Sequence, residues 1–507
     1  MENSPVIIRS LPGIKRDGTE FEGDNYIDGQ WCRFNRGLPR KIGGYQGLTS
    51  TQPEIVRGMT SFSSGGVQYL HTGGASTLTQ LRADSQGVFI GQSNRTPAGF
   101  PSSTDILWQF ETMYDSVGVV NTLLAHPGLN LNDISNSATS DIYYAQVDAA
   151  GVLVAGAVTD PESGGIVALP PYLIKFGNSG RVGWSAPNKP LDFSTPLLSG
   201  VAFVTGQKIV RGLPLRGTGT GPAGLLWSLD SLIRMTFNST STWAFDTISS
   251  ETSILSSQGV IEYDGVYYWA GVDRFLMFTG VVREVPNTMN QNYFFDNLNY
   301  THRQKVFAFK VPRWGEIWWC YPRGTATECT HAVIFNVREG TWYDTQLPGA
   351  GRSAGVFAKV YNKPFMADLD LTTSGYSVWQ HETGVDSING SVIHPIESYF
   401  ETSELSMLVG DQAQDASLRI SRLEQDFEQV GDMTLTVTGR ANARAPDQSS
   451  SIHTFPDAAT TADEQTIKLK EVRRLMRFKF ASNTVGGDYQ MGQNIGHIEP
   501  ADSRITS

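Results

Sequence analysis

Two carboxylates near the C-terminal end of the chain have the spacing that comes closest to a catalytic arrangement. Glu424 and Asp426 stand two positions apart in a strand-like stretch, and glycoside hydrolysis uses a pair of Asp or Glu side chains. Residues two apart in a strand share one face, and a solvated charged face explains this pair better than a catalytic pocket does. A glycan hydrolase stays an alternative, and we assign no catalytic residue.

A glycine-rich stretch superficially resembles a phosphate-binding loop. Gly217, Gly219 and Gly221 are suitably spaced, but a nucleotide-binding loop lies between a strand and a helix. The following residues, LLWSLDSLIRMTF, indicate two aromatic strands, which favours a flexible loop. The eight His and three Cys show no zinc-binding spacing, and no GxSxG motif is present. The sequence therefore predicts no cofactor and no metal.

An N-terminal segment combines aromatic and basic side chains in a way that is typical of a contact surface. The candidate docking residues are Trp31, Arg33, Phe34, Arg36, Arg40, Lys41 and Tyr45. Such a segment can bind nucleic acid through phosphate contacts and stacking, or it can dock on an acidic protein surface. The chain has a net charge of −11 and no wider basic patch, whereas tight DNA binding needs many Lys and Arg contacts. We therefore favour docking on the next subunit or on an adjoining protein.

The elements that would position these residues are almost all strands. Short aromatic or β-branched runs bounded by Gly, Pro, Asn or Asp recur along the chain, and only residues 287–298 suggest a helix. A strand–turn–strand unit returns about every 40–50 residues, which is typical of the blades of a β-propeller. We predict a propeller of six or seven blades over residues 51–391. Residues 97–167 are poor in this pattern, which suggests a loop or an inserted piece.

The pattern changes after the predicted propeller. From residue 392 onward the strands alternate apolar and charged residues more cleanly, as sheets with one buried face do. The prediction is an all-β protein with an N-terminal arm (1–50), the propeller (51–391) and a smaller C-terminal β-sandwich or barrel (392–507). No apolar run is long enough to span a membrane, and the N-terminus lacks a signal-peptide pattern, so we expect the protein to be made and kept in a cytoplasm.

Four stretches, in this order, carry a resemblance to a known family. They are LPGIKRDGTEFEGDNYIDGQWCRFNRGLPRKIGGYQ; RVGWSAPNKPLDF; the run from LLWSLDSLIRMTF through VIEYDGVYYWAGVDRFLMFTG to EIWWCYP and AVIFNVREGTWY; and RISRLEQDFEQVGDMTLTVTGR followed by RRLMRFKFASNTVGGDYQMGQNIGHIEPAD. Together they resemble the tail hub or nozzle proteins of short-tailed bacteriophages, the group of packaged-DNA stabilisation proteins and tail tubular protein B. The resemblance implies a propeller, a ring-shaped oligomer and no catalytic residues.

The resemblance also implies a structural function in the virion tail. A protein of this kind extends the DNA channel below the portal and adaptor proteins, retains packaged DNA, and serves in DNA ejection and in attachment of tail fibres, spikes or needles. We expect a ring of six copies, assembled in the bacterial host cytoplasm. Double-stranded DNA would pass without sequence-specific binding, because carboxylates on the channel wall repel phosphates. The alternatives are a receptor-binding tail-tip protein and a virion-associated glycan hydrolase with a propeller fold.

Overall fold

A computed structural model describes residues 4–501 with internal gaps. The gaps are at 20–21, 101–105, 129–140, 157, 159, 161, 217–220, 239–242, 407, 410–411, 414–416 and 458–465. Strands dominate the described residues. The first seven are β1 (Ser4–Ile8), β2 (Leu11–Ile14), β3 (Asn25–Tyr26), β4 (Asp28–Gln30), β5 (Cys32–Asn35), β6 (Leu38–Lys41) and β7 (Tyr45–Gln52).

The first three blades follow, each a four-stranded antiparallel sheet. Blade 1 holds β8 (Gly58–Ser64), β9 (Val67–Gly73), β10 (Leu78–Ala83) and β11 (Phe89–Asn94). Blade 2 holds β12 (Gln109–Asp115), β13 (Val120–His126), β14 (Tyr143–Gln146) and β15 (Val154–Ala155). Blade 3 holds β16 (Gly165–Leu169), β17 (Tyr172–Phe176), β18 (Arg181–Trp184) and β19 (Gly200–Phe203).

Blades 4 to 6 repeat this plan. Blade 4 holds β20 (Ile209–Pro214), β21 (Ala223–Ser228), β22 (Leu232–Phe237) and β23 (Trp243–Ser249). Blade 5 holds β24 (Val260–Tyr263), β25 (Val266–Ala270), β26 (Phe275–Phe278) and β27 (Val282–Glu284). A helix, α1 (Gln291–Asn297), and a 3-10 turn (Tyr300–Lys305) precede blade 6, which holds β28 (Phe307–Val311), β29 (Glu316–Tyr321), β30 (His331–Asn336) and β31 (Thr341–Gln346). The helix lies inside the range that the sequence suggested.

Blade 7 closes the propeller with a strand from the beginning of the chain. Its own strands are β32 (Arg352–Ala358), β33 (Lys363–Thr372) and β34 (Gly375–His381). Strand β7 pairs antiparallel with β34, so the fourth strand comes from residues before blade 1. A hairpin of β35 (Ser387–Asn389) and β36 (Val392–His394) then extends this sheet to six strands. The prediction of a β-propeller is confirmed, with seven blades.

Blades stack through strands that are apolar on both faces. Strand β29 is buried along its whole length. Trp318 belongs to the core shared with blade 7 and the second domain, whereas Trp319, on the opposite face, belongs to the core shared with blade 5. Tight turns join neighbouring strands; at Asp264 and Gly265 both φ angles are positive, 50° and 83°, as a two-residue hairpin turn requires.

The remaining strands form a second domain. They are β37 (Ser398–Glu401), β38 (Leu408–Val409), β39 (Gln412–Ala413), β40 (Leu418–Glu424), β41 (Phe427–Val430), β42 (Met433–Arg440), β43 (Gln448–Ser449), β44 (His453–Phe455), β45 (Thr466–Arg473), β46 (Leu475–Ser482), β47 (Asp488–Met491) and β48 (Asn494–Pro500). Its three main sheets have the orders β1-β48-β40-β45, β4-β37-β46-β42-β43 and β41-β47-β6-β5. The β-domain expected after the propeller is present, and N-terminal strands complete all three sheets.

The predicted N-terminal arm is therefore not an arm. Strand β1 pairs with β48, β4 with β37, and β6 with β47. The segment carries large apolar side chains, which are buried with those of the second domain rather than left on a detached segment. The second domain thus comprises β1–β6 and β37–β48, and the propeller comprises β7–β36. The boundary expected at 391/392 falls within the β35–β36 hairpin of blade 7.

The stretch 97–167, expected as a loop or insertion, contains blade 2. Its strands β12 to β15 form a regular antiparallel sheet. A long connection separates β13 from β14, and β15 has only two residues. These two features disturb the sequence period that marks the other blades, so the blade is hard to see from pattern alone.

Candidate functional site

The seven predicted docking residues mostly lie inside the protein. Trp31, Arg33, Phe34, Lys41 and Tyr45 are buried, Arg40 is half-buried and only Arg36 is exposed. The buried residues bind their own chain: the Lys41 Nζ donates to the Gly487 carbonyl at 2.6 Å, and the Trp31 ring contacts those of Tyr45 and Trp318. The prediction of an external docking surface is wrong for these five residues. Their apolar and basic groups find partners within the chain.

Arg33 is the centre of a buried ionic cluster between blade 6, blade 7 and the second domain. Its Nε lies 2.8 Å from Glu316 Oε1, although that N–H does not point at the oxygen, and its Nη2 donates to Glu316 Oε2 at 3.2 Å. A second carboxylate, Glu382, accepts from Arg33 Nη1 at 2.9 Å. Glu316 also accepts from the Trp318 Nε1 and from the Tyr343 hydroxyl. The cluster therefore links the second domain to blades 6 and 7 of the propeller.

Burial and charge act in opposite directions in this cluster. Burial alone would lower the pKa of Arg33, but the two carboxylates raise it above its ordinary value. Burial raises the pKa of Glu316, and Arg33 counteracts only part of that effect. For Glu382, the attraction and hydrogen bonds of Arg33 outweigh burial and lower the pKa. The cluster therefore keeps its positive charge and stabilises at least one carboxylate.

The predicted carboxylate pair has ordinary partners. Glu424 lies 3.1 Å from Arg422 Nη2 and 2.7 Å from His497 Nε2, and all three side chains reach solvent. Asp426 Oδ2 accepts from the backbone of Gln493 at 3.0 Å. These contacts fit the expected solvated charge. In the glycine-rich stretch, Gly217 and Gly219 lie outside the described residues, while Gly221 belongs to the connection between β20 and β21.

The described residues also bear on metal, membrane and thiol chemistry. Among them, no group of three or more His, Cys, Asp and Glu side chains has an arrangement that would hold a metal ion. In the same part of the chain, no helix is long and apolar enough to cross a membrane. Cys32, Cys320 and Cys329 are free and buried, and burial raises the pKa of each thiol. Neutral buried thiols are poor nucleophiles.

The propeller axis contains a cavity of about 240 Å³. The first strand of each blade lies innermost, and the cavity is lined chiefly by residues of these strands. They include Met59, Gln109, Arg211, Ile261, Lys310 and Val356. Several of these side chains are only half-buried, so the cavity opens to solvent. This pocket is a concave site that the propeller itself builds.

Two glutamines cross between blades around this cavity. The Gln258 amide, just before blade 5, donates to the Arg57 carbonyl before blade 1 at 2.8 Å and approaches the Trp108 carbonyl before blade 2 at 3.4 Å. Blade 5 stands opposite blades 1 and 2 in the ring, so this side chain spans the axis. The Gln109 amide likewise donates to the carbonyls of Gly164 and Val210, in the segments that begin blades 3 and 4. The axis is therefore not an open tube.

Comparisons with known proteins add little to this geometry. No known protein family matches the chain, and no curated protein does. A search of solved structures finds similarity to the WD40 β-propeller domain of Doa1, with a TM-score of 0.40 and 10% identity, covering 67% of this chain and 97% of that one. The assignment of a propeller rests on the seven sheets described above.

Glu111 and Arg211 are charged residues on innermost strands that interact electrostatically without forming an ion pair within 4.0 Å, and sequence reasoning did not select them. Glu111 lies in β12 and Arg211 in β20. Burial raises the pKa of Glu111 to about 7, despite the opposing effect of Arg211, and burial lowers the pKa of Arg211. For Arg211, a charged residue in the middle of the otherwise apolar strand IVRGLP is a signal that would have identified it. Strand β12, QFETMYD, holds three further polar residues and offers no such signal for Glu111.

The raised pKa of Glu111 predicts a pH-dependent stability difference. The folded-state pKa of about 7 exceeds the ordinary value of 4.5, so the stabilising contribution of Glu111 is complete below pH 4.5 and is lost as the pH rises through 7. We expect Glu111→Gln and the parent to have similar stability near pH 4.5. Above pH 7 the free energy of unfolding of the variant should exceed that of the parent by on the order of 3 kcal/mol. Urea unfolding at several pH values measures this difference, and a constant difference would contradict it.

Proposed function

We propose that the chain is a structural subunit of a bacteriophage tail, of the hub or nozzle type, and not an enzyme. It would extend the DNA channel below the portal and adaptor, help retain packaged DNA, take part in ejection, and present attachment points for fibres or spikes. Six copies would form the ring. The observation that carries this proposal, beside the sequence resemblance, is an exposed apolar rim on blade 3.

The blade 3 rim consists of Leu197, Leu198, Val201 and Phe203. Leu197 is 92% exposed and Phe203 is 69% exposed. The backbone of Leu197 has a φ of 66°, in the left-handed region that a residue with a Cβ seldom adopts. Val201 and Phe203 share one face of the outermost strand, β19. A cluster of exposed large apolar side chains at a sheet edge marks a surface for another protein.

The position of this rim suits contacts between copies. The second domain packs against blades 6 and 7 through a shared core, and blade 3 stands opposite those two blades in the ring of seven. One copy thus has its second domain and its apolar rim at opposite ends. Contacts between unlike surfaces of identical subunits close into a ring when the rotation permits. We assign the rim to contact with a neighbouring copy.

The joint between the two domains supports a mechanical role. Besides the cluster around Arg33, Arg16 lies 2.6 Å from Asp28 Oδ1 in the second domain and 3.0 Å from Asp344 Oδ1 in blade 6. Burial alone would lower the pKa of Arg16, but these two carboxylates raise it. Two ionic clusters and a continuous core resist relative movement of the domains. A rigid subunit suits a tail part that transmits force during DNA ejection.

The axial cavity bears on where DNA would pass. A cavity of about 240 Å³, crossed by Gln258, has no room for a duplex. DNA would therefore pass between the copies of the ring rather than through a propeller. The net charge of −11 favours a channel wall on which phosphates do not adhere.

Replacing Phe203 with aspartate is the first test of this proposal. The variant should fold like the parent, because Phe203 is largely exposed and exposed positions usually change stability by less than about 0.5 kcal/mol. It should nevertheless fail to enter tails assembled with portal and adaptor, because a charge at the rim opposes an apolar contact. Incorporation is measured by gel analysis of purified particles, and electron microscopy of parent particles shows where the chain lies.

Val485→Asp is the matched control for this experiment. Val485 is 60% exposed and lies in the second domain. The substitution therefore introduces the same negative charge at an exposed apolar position outside the rim. If Val485→Asp enters the particles normally and Phe203→Asp does not, the result supports the rim as a subunit contact. Equal incorporation of both variants refutes the rim contact, and a peripheral or two-fold placement of the parent chain refutes the hub.

The non-enzymatic part of the proposal has its own test. We expect no hydrolysis of polysaccharide, peptidoglycan or nucleotides by the purified chain, because the contacts of Glu424 and Asp426 are those of solvated surface charges. The double variant Glu424→Ala/Asp426→Ala serves as the control for trace contamination. Turnover by the parent that disappears in this variant would identify a hydrolase.

A further inference from the structure

We propose that the axial cavity is a binding site for a small oxyanion, a carboxylate or a tetrahedral anion such as sulfate or phosphate, with Arg211 as its principal ligand. This site is independent of the proposed assembly into a tail. Its elements are an arginine without a direct hydrogen bond or ion pair, a cavity of matching size and backbone edges that face the axis.

The first element is the state of Arg211. Across the described ranges, no hydrogen bond or ion pair within 4.0 Å engages its guanidinium, and its Nε is buried without a partner. Two fully buried arginines, Arg33 and Arg352, differ from Arg211 because each forms an ion pair. Arg33 pairs with Glu316, and Arg352 pairs with Asp368. Arg211 is half-buried, so the part of its charge that is shielded from water is costly to leave without a partner, and a guanidinium presents several donors in the geometry that carboxylates and phosphates match.

The second element is the space beside this group. A volume of 240 Å³ corresponds to about eight water molecules at ~30 Å³ each, which accommodates an anion of a few heavy atoms and its hydration. The second cation of the lining, Lys310, is already occupied. Its Nζ donates to the Glu262 carbonyl at 2.6 Å and to the Glu262 carboxylate at 3.3 Å. Arg211 is thus the lining cation that is available.

The third element is the backbone around the cavity. Each innermost strand forms an edge of its blade, so one side of that strand has no strand partner. Such edges present N–H groups that are not used within the sheet, and N–H groups that converge on a concavity bind anions. The side chains facing the same space include those of Met59 and Ile261, which limit access to small ligands.

Glu111 would make binding depend on pH. Its carboxylate interacts with Arg211, so a bound anion and a charged Glu111 compete for the same positive charge. Protonation of Glu111 removes that competition. Arg211 interacts electrostatically with Glu111 of blade 2, while Lys310 of blade 6 pairs with Glu262 of blade 5. Anion affinity should therefore fall as the pH rises from 6 to 8.

Isothermal titration calorimetry of the purified full chain tests the site. Sodium sulfate and sodium acetate are titrated separately at constant ionic strength, with chloride as the replaced ion. We expect saturable binding of at least one probe and a loss of affinity of tenfold or more in Arg211→Met. Arg234→Met is the matched control, because Arg234 is half-buried like Arg211 but pairs with Asp246 on the outer part of blade 4. Its affinity should equal that of the parent.

The two probes distinguish the kinds of anion, and the variants Arg211→Lys and Glu111→Gln test the roles of the two residues. Sulfate binding alone assigns a tetrahedral anion, acetate binding alone assigns a carboxylate, and binding of neither overturns the proposal. Equal affinity in Arg211→Met and the parent also overturns it. Should Arg211→Met fail to fold, Arg211→Lys keeps the charge and should weaken binding several-fold. Glu111→Gln should bind more tightly at pH 8 and lose the pH dependence; a retained dependence would contradict the role of Glu111.

Discussion

Replacing Trp319 with alanine is expected to destabilise the propeller by about 3–5 kcal/mol. Trp319 is fully buried. Its ring centroid lies 5.1 Å from that of Phe275 in blade 5 and 5.9 Å from that of Trp342 in blade 6. Its Nε1 donates to the Gly259 carbonyl at 3.0 Å. The truncation would leave a cavity between two blades and a carbonyl without its donor. Urea unfolding followed by tryptophan fluorescence measures the loss.

Two further variants separate the causes of this loss. Trp319→Phe retains an aromatic ring but removes the hydrogen bond, so its cost should lie between those of the parent and the alanine variant. Phe203→Ala removes an aromatic side chain that is largely exposed, and it should change stability by no more than about 0.5 kcal/mol. If Trp319→Ala unfolded at the same urea concentration as Phe203→Ala, the packing of β29 between blades would be disproved.

The second large effect is expected at Arg33. Substitution by methionine removes the positive partner of two carboxylates, those of Glu316 and Glu382. Breaking a buried ion pair by removing one partner costs about 3–5 kcal/mol, because the remaining charge is buried without compensation. The cost should be smaller at pH 5 than at pH 8, since an unpaired buried carboxylate takes up a proton more readily in acid. Unfolding curves at the two pH values test both statements.

A double-mutant cycle identifies the ion pair as the cause. Glu316→Gln in the Arg33→Met background neutralises one unpaired carboxylate, so the double variant should be more stable than the sum of the single costs predicts. The coupling should fall within about 0.5–3 kcal/mol. Arg36→Met is the control in the same segment, because Arg36 is exposed. Additive costs at Arg33 and Glu316, or a large cost at Arg36, would show that packing rather than charge dominates.

Most blades could be predicted from the sequence because their pairing is local; the exceptions are blade 2, in the stretch expected to be a loop or insertion, and the closing strand of blade 7. Each hairpin brings together strands a few residues apart, so the aromatic runs and turn residues are close in the chain. Trp318 and Trp319 illustrate this, since adjacent aromatic residues in a strand must face opposite neighbours. The short helix also follows from local pattern.

The candidate site and the second domain could not be predicted in this way. Strand β1 pairs with β48 at the other end of the chain, and nothing in a short window of either strand specifies that partner. Trp31 and Arg33 therefore resembled an external contact segment, although their partners are internal. Glu111 and Arg211 approach each other only because separate blades bring their innermost strands to one axis.

The pairing of β7 with β34 sets the order in which the chain can fold. Strand β7 leaves the ribosome long before blade 7 is made, so the ring stays open, with an unpaired edge, until residue 381 has emerged. The second domain is completed later still, because β1 pairs with β48 at the end of the described chain. Pairings so distant along the chain slow folding and prolong the exposure of sheet edges. Ring closure and second-domain completion are therefore late events, and a chain released before its last strand would lack a finished second domain.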